Sequence, residues 1–96
     1  MATSINSGRH LEIVNVACNS SDFVPLTLSH QSNNILIRAR EEDCDLYIKT
    51  DPALTEYFTI PTGQSITLDW QVTVGIPLYI KSQLASANAE VISTFE

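Results

Sequence analysis

Basic residues are scarce in this chain, and glycine, cysteine and histidine are scarcer still. Five Lys and Arg stand against eleven Asp and Glu in 96 residues, for a formal charge of -6. That balance excludes nucleic acid as a partner, because phosphate binding needs Lys and Arg to displace counterions. It speaks equally against an anionic membrane surface. The glycines are Gly8, Gly63 and Gly75, too few and too scattered for a phosphate-cradling loop. His10 and His30 lie in polar segments with no nucleophile setting beside them, so no catalytic triad is expected. Cys18 and Cys44, with two distant histidines, lack the paired spacing of a zinc site. They read as small apolar residues near strand ends or, if their Cα atoms come within about 7 Å, as a disulfide. No apolar run approaches the ~18 residues of a membrane-crossing helix. The first ten residues have no basic start followed by an apolar core, so synthesis in the cytoplasm is expected. Neither a metal nor an organic cofactor is called for, and nothing marks the chain as an enzyme.

What is present is alternation. Hydrophobic residues make up 44% of the chain, ordinary for one globular domain. A chain of this size buries roughly 65% of its unfolded surface, enough for one modest core. Residues 1–10 are polar and small apart from Ile5, and read as an extended N-terminal arm; residues 11–96 form the domain. Apolar side chains recur with period two over residues 11–18, 23–29, 35–40, 44–49, 57–60, 66–70, 78–82 and 89–95. These are about eight short strands, an all-β antiparallel β-sandwich or a small barrel. No sustained helical period and no internal repeat is evident. Residues 11–18 carry apolar side chains on both faces, so either the strand is covered on both sides or one face meets a partner. Pro25 lacks a donor and belongs at an edge or a bulge. Ile76-Pro77 is expected to break pairing.

Two hairpins are expected. Residues 35–40 and 44–49 flank an acidic turn, which would bring Arg38 and Arg40 near Asp45 and Tyr47. Residues 57–70 flank Pro61-Thr62-Gly63, with Phe58, Ile60, Ile66 and Leu68 directed into the core and Trp70 sharing their parity.

Chemistry is sparse. Glu41, Glu42, Asp43 and Asp45 form the densest carboxylate cluster. It lacks the ligand grammar of a calcium loop and reads as a solvated turn, a structural cation being the alternative. A sugar-cleaving carboxylate pair would need a cleft that so small a sandwich rarely encloses. Tyr47, Tyr57, Trp70 and Tyr79 could form a platform for sugar rings, with Tyr47 and Tyr79 on outward positions.

The order 35-Ile-Leu-Ile-Arg-Ala-Arg, 44-Cys-Asp-Leu-Tyr-Ile-Lys, 57-Tyr-Phe-Thr-Ile-Pro-Thr-Gly-Gln-Ser-Ile-Thr-Leu, 78-Leu-Tyr-Ile-Lys-Ser and 89-Ala-Glu-Val-Ile resembles small β-sandwich virion proteins of tailed bacteriophages. The resemblance spans roughly residues 35–92 and rests on structural motifs. It implies a jelly-roll-like sandwich acting as a capsid decoration (cement) or head-fibre protein. It further implies a homotrimer on the outer capsid surface, with the major capsid protein as partner. No functional residue carries over. The candidate partner-binding residues are Ile5 and Arg9 in the arm, and Arg38, Arg40, Tyr47 and Tyr79 on outward strand positions. A carbohydrate-binding or host-attachment module is the alternative.

Overall fold

The computed structural model describes residues 10–31, 34–41, 43–69 and 75–95. Eight strands appear: β1 His10–Cys18, β2 Val24–Leu28, β3 Asn34–Ala39, β4 Leu46–Lys49, β5 Phe58–Ile60, β6 Ser65–Leu68, β7 Gly75–Ser82 and β8 Ala87–Phe95. They form two four-stranded antiparallel sheets, β1-β8-β3-β6 and β2-β7-β4-β5, packed as a β-sandwich. The pairing is nested: β1 with β8, β2 with β7, β3 with β6, β4 with β5. The chain thus behaves as one long hairpin, tipped by residues 50–57 and folded over on itself. Only β4 and β5 are consecutive partners; every other connection crosses between the sheets.

This topology corrects both expected hairpins. β3 and β4 lie in different sheets, and so do β5 and β6. Around Pro61, the Gln64 amide donates to the Pro61 carbonyl at 3.0 Å, and Gly63 takes a φ of +79°. Those are the marks of a type II turn, which needs a residue tolerant of positive φ at its third position. Here the turn serves as an arch from one layer to the other. Period-two alternation cannot separate the two outcomes. Residues before and after a turn direct apolar side chains inward whether they share a sheet or face each other across the core. Ile60 is buried, and Ile66 and Leu68 are half-buried across from it. Phe58 has inward parity but is 55% exposed, because β5 is a three-residue edge strand and Phe58 stands at its open end. Trp70 lies outside the described residues.

Pro25 sits on β2, an edge strand, beside a register shift between Leu26 and Leu28. Pro77 does not interrupt pairing as expected. It lies inside β7, between Gly75 and Leu78, where that shift relieves β2 and where β4 no longer reaches. A residue without an N–H is tolerated where no partner asks for one.

Between the layers lie Val16, Leu26, Leu28, Ile35, Ile37, Leu46, Ile48, Ile60, Leu78, Ile80, Ala89 and Val91. Each such aliphatic side chain larger than alanine stabilises the fold by about 1.5–3 kcal/mol relative to exposure. Cys18 and Cys44 are buried free thiols at or next to strand ends; no disulfide joins them. Burial pushes the Cys18 thiol up to about 11.

Candidate interaction surfaces

Register builds the outer face of β1-β8-β3-β6 row by row. Ile13 pairs with Ile92, which pairs with Leu36, which pairs with Thr67. In the next row Asn15, Glu90, Arg38 and Ser65 stand side by side. Strand pleating turns all of these away from the core, since their sequence neighbours Val14, Val91 and Ile37 face it. The result is an apolar row open to solvent, with Ile13 66% and Ile92 38% exposed, and Leu11 53% exposed one row further. Ile13, Leu36, Ile92 and the Arg38–Glu90 pair line a shallow cavity of about 200 Å³. Arg38 Nε lies 2.9 Å from Glu90 Oε1, and Arg40 Nε 3.8 Å from Glu90 Oε2. The two arginine side chains are 61% and 60% exposed. Such pairs contribute about 0–1 kcal/mol, so their effect is on charge pattern more than on stability.

The outer face of β2-β7-β4-β5 is aromatic and cationic. Tyr47 and Tyr57 meet edge to face with centroids 5.0 Å apart, and Phe23 stands 5.8 Å from Tyr57. The Lys81 ammonium lies over this cluster, 5.0 Å from the Phe23 centroid and 5.8 Å from each tyrosine. The Lys49 ammonium is 4.1 Å from the Phe23 centroid and donates to the Leu54 carbonyl at 2.8 Å, tying down the loop that follows β4. Partial burial, then the charge of Asp45, raises the Tyr47 hydroxyl above its ordinary range. Among the described residues neither lysine has a carboxylate within 4.0 Å.

A short repeat creates this face. Residues 46–49 and 78–81 both read Leu-Tyr-Ile-Lys. β4 and β7 are antiparallel neighbours with Tyr47 opposite Lys81 and Lys49 opposite Tyr79. Leu and Ile of each copy enter the core, and Tyr and Lys of each copy project outward in two crossed pairs.

The carboxylates of the 41–45 segment diverge into separate structural roles. Glu41 accepts the Asn88 amide at 2.9 Å, a bond that holds its carboxyl below the usual range. Asp45 accepts both the amide and the hydroxyl of Thr62 at 2.7 Å, pinning the 61–64 arch. Glu42 lies outside the described residues. Among those described, no group of three His, Cys, Asp or Glu side chains converges. At the opposite corner Glu12 of β1 accepts the amide and hydroxyl of Ser29, which follows β2, and faces His30 at 3.4 Å. A cavity of about 510 Å³ opens at the β5–β6 edge; Leu54, Phe58, Ile66 and Leu68 line it, with Lys49 and Glu56 as charged groups at its wall.

Of the candidate partner residues, Arg38 and Arg40 come together, through Glu90 and not through Asp45 or Tyr47 as the expected hairpin required. Tyr47 and Tyr79 project from the opposite face. Ile5 and Arg9 lie outside the described residues. Parity did not single out Phe23, Tyr57, Lys49 and Lys81 as a cluster. The sequence signal for half of it was the doubled Leu-Tyr-Ile-Lys, too short to register as a repeat. Tyr57 and Phe23 arrive from loops, whose direction no alternation encodes.

No protein-family model matches the chain, and no curated protein matches it.

Proposed function

We propose that the chain is a structural virion protein, a decoration (cement) protein on the outer surface of a tailed-phage capsid. In this reading it is made in the host cytoplasm, assembles as a homotrimer and binds the major capsid protein. The observation that carries the proposal is the open apolar row Ile13–Ile92–Leu36, bordered by Arg38 and Glu90, on the outer face of β1-β8-β3-β6. Side chains of that kind on a flat sheet face suit contact with another protein: apolar at the centre, charged at the rim. The nested order β1-β8-β3-β6 over β2-β7-β4-β5 agrees with a jelly roll, a fold that recurs in virus shells. Long β1, 9 residues in length, adds an edge that no strand pairs among the described residues, suited to strand addition.

Light scattering of the purified chain and co-sedimentation with shells of the major capsid protein test this. The expected result is a trimer that pellets with shells, and an Ile13→Glu/Ile92→Glu variant that folds but stays in the supernatant. A monomer that never pellets overturns the proposal. The crossed Tyr–Lys face supports the second reading, a carbohydrate-binding attachment module.

A further inference from the structure

We infer that the outer face of β2-β7-β4-β5 binds a short acidic carbohydrate, a uronate-type sugar stacked on Tyr57 with its carboxylate on Lys81. The inference rests on the second, carbohydrate-binding reading, whose face it uses, and stands apart from the capsid reading, which uses the opposite face of the sandwich.

Charge placement is the first support. The chain has only two lysines, and both stand on this face although acids outnumber bases by eleven to five. Neither has a carboxylate within 4.0 Å among the described residues. Lys49 spends its donors on loop carbonyls at Pro52 and Leu54. Lys81 has no such engagement; it is held over three rings instead. A ring quadrupole positions an ammonium without neutralising it, so the charge stays available to an anion.

The aromatic arrangement is the second. Phe23 and Tyr47 are half-buried and form a floor, while Tyr57 stands above it, 49% exposed. An exposed ring beside a fixed cation matches a ligand that has an apolar C–H face and a carboxylate on one edge. That is an acidic sugar. Tyrosine hydroxyls at the rim can exchange hydrogen bonds with ring hydroxyls.

The sheet also discriminates against an acidic peptide. Tyr47 and Lys81 stand on β4 and β7, interior strands paired on both sides, so a peptide lying over them meets side chains and no free backbone; the edges of this sheet are β2 and β5. The overall charge of -6 limits ligand length. A short ligand meets mainly the local cation, whereas a long polyanion would carry further charges to within the ~8 Å over which an acidic surface still repels them at physiological salt. A short oligosaccharide avoids what a long polyanion would meet.

Calorimetry of the full chain with tetragalacturonate, its methyl ester, tetramannuronate, sialyllactose and hexaglutamate tests the inference. At least one acidic sugar is expected to bind, with the galacturonate favoured over its ester if it is the one that does. Lys81→Met, which keeps the side chain over the rings without its charge, is expected to weaken binding about tenfold, the loss of one charged hydrogen bond. Tyr57→Ala is expected to weaken it comparably, with an unchanged far-ultraviolet spectrum in both variants. The inference is overturned if no acidic sugar binds, or if the ester binds as well as the acid. It is equally overturned if hexaglutamate binds as tightly as the sugars, or if a folded Lys81→Met protein binds normally.

Discussion

Replacing Glu12 with Gln tests how the two layers are held at the β1–β2 corner. These edge strands belong to different sheets and share no ladder, so side chains must join them there. Glu12 does so: Oε2 accepts the Ser29 amide at 3.1 Å and the Ser29 hydroxyl, and Oε1 lies 3.4 Å from His30 Nδ1. Its side chain is 16% exposed, but Ser29 and His30 are both exposed, so solvent reaches these bonds and weakens them. Charge-assisted hydrogen bonds contribute about 1.5–3 kcal/mol where solvent is excluded. Gln keeps one acceptor oxygen but turns an amide donor toward other donors, so a loss of about 1 kcal/mol is expected at pH 7. For a domain of this length that lowers Tm by roughly 4–8 °C. The Ser29 hydroxyl bond above all, with the Ser29 amide and His30, outweighs burial and holds the Glu12 carboxyl below its ordinary 4.5. A carboxylate with a depressed folded-state pKa stabilises the fold above the unfolded value, and that contribution disappears as pH falls through the folded value. The gap between parent and variant should therefore be full at pH 7 and should close in acid below 4.5. Urea denaturation at both pH values measures it. A variant within about 0.5 kcal/mol of the parent at pH 7 would refute the clamp, as would a gap that persists unchanged in acid.

Three other substitutions or reagents probe the interior. Ser93 is fully buried and its hydroxyl has no hydrogen-bond partner among the described residues, so Ser93→Ala is expected to be neutral or stabilising by up to about 1 kcal/mol in urea denaturation. Ile37 is fully buried at the centre of β3, and Ile37→Ala should cost about 2–5 kcal/mol by the same assay. Cys18 is buried with its thiol pushed up to about 11, so a chromogenic disulfide reagent at pH 8 should leave it unreacted in the native chain and titrate both thiols in denaturant.

The two outer faces show how surface character arises from pairing. Ile13, Ile92 and Leu36 belong to three separate stretches of chain, and each alone is an ordinary exposed or half-buried aliphatic residue. They become an apolar row because β8 lies between β1 and β3. Likewise each Leu-Tyr-Ile-Lys copy is an amphipathic strand like many others, and antiparallel pairing with the register Tyr47–Lys81 makes two copies one surface. A one-residue slip of β4 against β7 would turn Tyr47 inward and dismantle it.

Period-two alternation, read from the chain alone, was enough to establish an all-β architecture, eight strands with bounds close to those observed, and the inward face of most of them. It identified Ile35, Ile37, Leu46 and Ile48 as core and Tyr47 and Tyr79 as outward, because side-chain direction in a strand is a local property of the backbone. It also placed Pro25 at an edge or a bulge, since a missing donor is a local fact. Partner choice is not local. Alternation looks the same on either side of a hairpin and of an arch, so residues 57–70 and 35–49 suggested neighbours that the fold separates into opposite layers. Only the tertiary structure decided that β5 and β6 face each other across the core, that Arg38 meets Glu90 and not Asp45, and that Phe23 and Tyr57 complete the face begun by Tyr47. Those outcomes depend on contacts between residues far apart in the chain, whose energies are summed only when both sheets close over one core.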